Sequence, residues 1–277
     1  MDLLAFIQAA VLGLVEGLVE FLPVSASGHL ILARALLGLR HDEAAQAFDL
    51  ALRSGALLAL VGVFWRRFVE TVAGLRSGPE SRRLLANLAV ASVPAAFLGF
   101  GLTDAIRSAL YTGPIVAAAS CLGALAILWV ERPGAEQRVR VASQADLHWM
   151  DALAIGLLQC LSLIPGLSRP GTAMIGGMLL GLSRRVATEF SMVLAIPTLL
   201  GALVHSGWQA HHALAAQAAG SMFAVGFVAS FAAAWVCVRW LLRYVQAHTF
   251  VPFAWYRIAF ALVVLASWLT DLIRWTP

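Results

Sequence analysis

Six apolar stretches, at roughly 48–65, 84–101, 113–130, 190–207, 219–238 and 253–271, are each long enough to cross a bilayer as a helix. Within hydrocarbon every backbone N–H and C=O must be bonded inside the protein, and helices achieve this one segment at a time. Composition agrees with that reading. Of 277 residues, 61% are hydrophobic and only 12% charged, whereas about a quarter of a soluble globular chain is charged. A water-soluble enzyme, a disordered protein and a secreted disulfide scaffold are thereby excluded. The chain is expected to be an all-α integral membrane protein forming a single polytopic domain over 1–277. Cys121, Cys160 and Cys237 are isolated in apolar runs without CxxC spacing and are read as core filler. The start, Met1-Asp2-Leu3, lacks a basic n-region and a cleavage site, so it is expected to stay in the mature protein.

Two further regions, 3–33 and 152–182, are as apolar as the six spans but are broken at their centres. The breaks are Pro23-Val24-Ser25-Ala26-Ser27-Gly28-His29 and Pro165-Gly166-Leu167-Ser168-Arg169-Pro170-Gly171-Thr172. Each half is too short to span, so each region is predicted to enter the bilayer, turn and leave by the same face. These regions also look like copies. Pro23 and Pro165 differ by 142 positions, as do Phe48 and Phe190, and Gly13-Leu14-Val15-Glu16 matches Gly156-Leu157-Leu158-Gln159 at an offset of 143. Three spans separate the copies, so they enter from opposite faces. This is an inverted repeat, about 3–130 and 152–271, of the kind that brings broken helices together at the midplane to hold an ion or anion.

Lysine is absent, and the 19 basic residues are all arginine. Twelve of them fall in 66–83, 131–151, 183–189 and 239–249, which are taken as cytoplasmic; Arg34, Arg40, Arg107 and Arg274 fall on the other side. Both termini are then outside. Because topology explains most of the net charge of +4, it does not call for a nucleic-acid partner.

Chemistry is carried by the few polar residues in apolar surroundings. Glu16 and Glu20, four residues apart, share a helix face, and carboxylates at membrane depth mark a functional site by default. Their oxygens suit a hard divalent cation, Mg²⁺ or Ca²⁺. Ser25, Ser27 and His29 follow within nine residues of Glu20, where serine and glycine after Pro23 suit a helix N-terminus able to bind phosphate. Arg169 stands among Ser168, Gly171 and Thr172 with no acidic neighbour in sequence, and a guanidinium at this depth calls for an anionic partner such as phosphate. Together these groups suit phosphoryl transfer, in which a protein chiefly positions groups and neutralises charge. No P-loop and no HExxH motif is present.

The run Gly17-Leu18-Val19-Glu20-Phe21-Leu22-Pro23-Val24-Ser25-Ala26-Ser27-Gly28-His29-Leu30, Pro165-Gly166-Leu167-Ser168-Arg169 with Gly181-Leu182-Ser183-Arg184, Glu189-Phe190-Ser191 with Ile196-Pro197, and Phe250-Val251-Pro252-Phe253-Ala254-Trp255-Tyr256-Arg257 resemble the bacitracin-resistance type of undecaprenyl pyrophosphate phosphatase. The resemblance runs from about residue 8 to 260. It implies a bacterial plasma-membrane enzyme that removes the terminal phosphate of the C55 isoprenoid pyrophosphate, recycling the carrier lipid for peptidoglycan and other envelope polymers. It further implies metal dependence, an acidic pair at Glu16 and Glu20, a catalytic His29, and pyrophosphate binding by Ser168 and Arg169, with Thr172 beside them. Polyprenyl pyrophosphate and membrane lipids are the expected partners, and a homodimer is allowed.

The chain departs from the family pattern in three places. Ala26 stands where many members have serine, the threonine of the second motif is shifted to Thr172, and Arg53 replaces a common glutamine or histidine. The nucleophile is therefore open among Ser25, Ser27 and water. A flippase for a phosphorylated polyprenyl lipid is the alternative reading, since inverted repeats with broken helices also build transporters.

Overall fold

The computed structural model describes residues 3–39, 43–76, 78–134, 139–209, 220–273 and 275. Among them are ten α-helices: α1 (Leu3–Val19), α2 (Ala26–Leu36), α3 (Glu43–Ala73), α4 (Pro79–Leu110), α5 (Gly113–Val130), α6 (Trp149–Gln159), α7 (Arg169–Leu179), α8 (Arg184–Gln209), α9 (Ser221–Ala247) and α10 (Val251–Leu269). Five of them, α3, α5, α8, α9 and α10, are long and apolar enough to cross a membrane. The sixth expected span, 84–101, lies inside the 32-residue α4. At 1.5 Å per residue, the 11-residue α2, α6 and α7 reach only about 16 Å, roughly half of a hydrocarbon core.

Helix ends differ from the sequence expectation on the arginine side. The segment 183–189 is not a loop: α8 begins at Arg184, α9 continues to Ala247, and only residues 74–78 separate α3 from α4. Hydropathy marks where apolar side chains stop, but a helix runs on past that point because its backbone bonds are internal and arginine is a good helix former.

Helix lengths follow one order twice, 17, 11, 31, 32 and 18 residues and then 11, 11, 26, 27 and 19. Packing is exchanged between the two sets. Helix α1 lies against α9, the fourth helix of the second set, and α6 lies against α4, the fourth of the first. Both contacts need glycine. A Cβ on Gly17 would sit 2.3 Å from the Ser230 carbonyl oxygen, and one on Gly156 would sit 2.3 Å from that of Ala91. Small residues let helix backbones approach this closely where no hydrophobic effect drives association.

The arginine-bearing ends meet on one face of the bundle. Arg67 Nη1 is 3.1 Å from Glu189 Oε2, Arg184 Nε donates to Glu131 at 2.7 Å, and Arg140 pairs with Asp151. Arg40, Arg138 and Arg274 lie outside the described residues. Phe97, Leu122, Val204, Trp208 and Leu262 are exposed on helix surfaces, as side chains solvated by lipid are. All three cysteines are free, with Cys237 buried and the other two partly so.

Candidate active site

Two loops, each followed by a short helix, build the site. The first begins where α1 ends, its last turn closed by the Glu20 N–H on the Glu16 carbonyl at 2.9 Å. Pro23 prevents continuation, and the chain turns at Ser25 (φ 77°, ψ 91°) into α2. The sequence suggests Ser25 as a helix cap. Its hydroxyl makes no capping bond and has no partner although fully buried. In the second loop Ser168 does cap its helix: its Oγ accepts from Gly171 N at 3.2 Å and donates to the Leu22 carbonyl of the first loop at 2.9 Å. Gly171 allows this approach, because a Cβ there would lie 3.0 Å from Pro23 Cα.

Arg257, on α10, fixes the junction. It is 1% exposed, and its guanidinium donates to four backbone carbonyls: Nη1 to Pro23 at 3.0 Å, Nη2 to Gly166 at 3.1 Å and Ala119 at 3.3 Å, and Nε to Ser120 at 3.1 Å. Both loops and α5 are thus held by one side chain. Gly123 makes room, since a Cβ there would be 2.0 Å from Nη2. In the sequence Arg257 closes the last motif of the family resemblance and is an arginine in an apolar segment without an acidic neighbour, which gives it no stated role.

A cavity of about 220 Å³ opens at this junction. Glu20, Ser27, Ser168 and Arg169 line it, so a carboxylate and a hydroxyl of the first motif face two phosphate-binding candidates of the second. The other four candidates are placed behind the wall. Glu16 is fully buried and pairs with Arg53 at 3.4 Å, Ser25 is fully buried, and Thr172 Oγ1 donates to the Arg169 carbonyl of its own helix at 2.9 Å. His29 is buried against α10, with Nδ1 2.7 Å from the Ser25 carbonyl and Nε2 2.6 Å from the Tyr256 hydroxyl. In their place the cavity gains polar groups without a sequence motif, among them Arg53, Tyr111, Gln159 and Thr198. Gln159 is the residue that the repeat equates with Glu16, and its Nε2 donates to Thr198 Oγ1 at 3.1 Å.

Residues 9–263 match the family model described as Bacitracin resistance protein BacA. The chain belongs to the BacA family. It is 49% identical over 275 residues, 99% of both chains, to the undecaprenyl-diphosphatase of Acidovorax ebreus. It is 47% identical to that of a Polaromonas species over 100% of both chains, and 47% identical to undecaprenyl-diphosphatase 2 of Rhodospirillum rubrum, again over 100% of both.

For a BacA-family chain the resemblance implies a divalent cation, and the residues present fit one. Both Glu16 carboxylate oxygens are buried and accept no hydrogen bond, and Glu20, one turn on, opens to the cavity. Mg²⁺ is commonly held by one or two carboxylates completed by substrate phosphate oxygens and water. Among the described residues no group of three or more His, Cys, Asp and Glu is assembled, so oxygens of the substrate would be needed to complete the shell. Arg53 adds a fixed positive charge beside Glu16.

Proposed function

We propose that this protein hydrolyses undecaprenyl pyrophosphate to the monophosphate and inorganic phosphate, recycling the carrier lipid for peptidoglycan and envelope synthesis. The observation that carries the reading is the cavity wall. Arg53, Arg169, Glu20, Ser27 and Ser168 converge on one pocket inside an apolar helix bundle, at the N-termini of α2 and α7. Helix N-termini present free N–H groups and the positive dipole end to a phosphate. The names and full-length similarity of the relatives support the same reading.

Arg169 and Arg53 neutralise the pyrophosphate oxygens, while Ser168, fixed as a helix cap, sets the position of Arg169 directly after it. Ser27 lies on the wall and orients the attacking water or itself attacks the terminal phosphorus; Ser25 has no access to the cavity. In net hydrolysis the bond from the terminal phosphorus to the bridging oxygen breaks, water supplies the new oxygen, and the lipid leaves as its monophosphate. Glu16 and Glu20 would hold the divalent cation, which when bound neutralises phosphate charge and acidifies water. The isoprenoid tail lies between helices in the bilayer of the bacterial plasma membrane. The arginine-rich face is cytoplasmic and both termini are outside.

Phosphate release from undecaprenyl pyrophosphate by the purified protein tests this. Glu20→Ala and Arg169→Ala should each lower the rate by about 10²-fold or more. Full activity in both would show the mechanism to be wrong. Movement of labelled lipid between leaflets without phosphate release would establish a flippase instead.

A further inference from the structure

Both nitrogens of His29 are committed away from the cavity. The Ser25 carbonyl can only accept, so the 2.7 Å contact requires a proton on Nδ1. Among the described residues no carboxylate lies within ion-pair distance of the ring, and the neutral ring then has one lone pair, on Nε2. That lone pair accepts from the Tyr256 hydroxyl at 2.6 Å. Phe260 holds the ring flat, with centroids 4.0 Å apart and planes 7° from parallel. Nothing in the sequence assigns Tyr256 a role, yet its hydroxyl fills the one lone pair that this tautomer leaves.

What the tautomer holds is the turn at Ser25. A serine at φ 77° and ψ 91° occupies a conformation that residues other than glycine rarely adopt, and its own hydroxyl makes no bond to support it. The His29 Nδ1–H bond to the Ser25 carbonyl ties this residue to the first turn of α2, four residues on. Ser27 lies between them and faces the cavity. We infer that Tyr256 is a positioning residue for the hydrolytic site: by filling the Nε2 lone pair it locks His29 onto the Ser25 carbonyl, and so keeps Ser27 and the α2 N-terminus on the cavity wall. His29 then acts through loop geometry. This role rests on the phosphatase reading.

Asparagine and glutamine separate the two roles His29 can have. In His29→Asn the new amide nitrogen stands where Nδ1 stands and can still donate to the Ser25 carbonyl, whereas in His29→Gln it stands where Nε2 stands. In purified, folded protein, His29→Asn should keep at least about a tenth of the wild-type kcat and His29→Gln should lose about a hundredfold. Tyr256→Phe should lower kcat about tenfold with KM within about twofold, and should add nothing further in the His29→Asn background, as residues acting in one unit do. Histidine-labelled wild type should show the Nδ1–H tautomer by ¹⁵N NMR with a hydrogen-bonded Nε2, assigned against His29→Gln, and Tyr256→Phe should keep that tautomer while its Nε2 resonance shifts to that of a lone pair without its donor. Wild-type kcat in Tyr256→Phe, equal inactivity of the asparagine and glutamine variants, or an Nε2–H tautomer in the wild type would each overturn the proposal. If the wild type releases no phosphate, the phosphatase reading fails by itself, and the Nε2 resonance still decides the Tyr256 bond.

Discussion

The Ser168 hydroxyl donates to the Leu22 carbonyl at 2.9 Å, joining two loops that are 146 positions apart in the chain. The same oxygen accepts from Gly171 N, so one serine both starts α7 and fastens it to the end of the first motif. Replacing it with alanine should cost about 1–2 kcal/mol, the usual value of an N-cap, and should also loosen the placement of Arg169. Ser168→Ala is therefore expected to lower both the thermal unfolding midpoint and kcat, measured on the same detergent-solubilised sample.

Arg257 is more demanding. Its loss leaves four buried carbonyls without their donor, and a buried polar group left unpaired costs about 1–3 kcal/mol. Arg257→Met should destabilise by about 3 kcal/mol or more. Arg257→Lys keeps the charge but not the fork, and should fall between Met and wild type in a thermal unfolding series.

The divalent cation can be tested apart from turnover. Chelation is expected to abolish phosphate release, with Mg²⁺ or Ca²⁺ restoring it. Added cation should also raise the unfolding temperature of the wild type, because a ligand that binds only the folded state stabilises it. Glu20→Gln should remove most of that rise; an equal rise in both proteins would take Glu20 out of the metal site.

Glycines separate contact from conformation. Gly156→Ala places a Cβ 2.3 Å from the Ala91 carbonyl, and should cost about 1–3 kcal/mol through overpacking between α6 and α4. At Gly201, also helical, a Cβ meets nothing within 4 Å. Gly201→Ala should be neutral or stabilising by up to about 1 kcal/mol in the same unfolding assay.

Asp151, on the arginine-rich face, gives a pH-dependent contribution. Burial pushes its carboxyl up, but the Arg140 hydrogen bond, the His148 N–H and the nearby positive charge outweigh this and hold it below the ordinary carboxylate value. A lowered folded-state value means the stabilisation is present above the unfolded value of about 3.9 and disappears as pH falls through the folded one. Arg140 is half exposed, so the effect is modest, about 1 kcal/mol. Wild type should exceed Asp151→Asn in unfolding midpoint at pH 7, and the gap should close below about pH 4.

Much of the fold was legible because hydrocarbon leaves few choices. Apolar length announced the spans, and the clusters of proline with glycine and serine that begin at Pro23 and Pro165 announced the breaks; proline alone does not, since Pro94 and Pro197 lie inside α4 and α8. Helix ends on the arginine face were less legible, because nothing in hydropathy stops a helix that has already left the bilayer. Within the site, Glu20, Ser27, Ser168 and Arg169 could be singled out because charge and hydroxyl groups are conspicuous in apolar sequence. Their neighbours Glu16, Ser25, His29 and Thr172 are equally conspicuous, and one-dimensional spacing does not say which side of a turn meets the cavity.

The sequence by itself determined that this is a helical membrane protein, that its conspicuous polar residues gather in two broken segments, and which residue types are available there. Tertiary structure alone decided which of them share a wall. The backbone turn at Ser25 sends consecutive side chains in different directions, and the partners that fix it, Tyr256 and Arg257, come from a helix more than two hundred residues away.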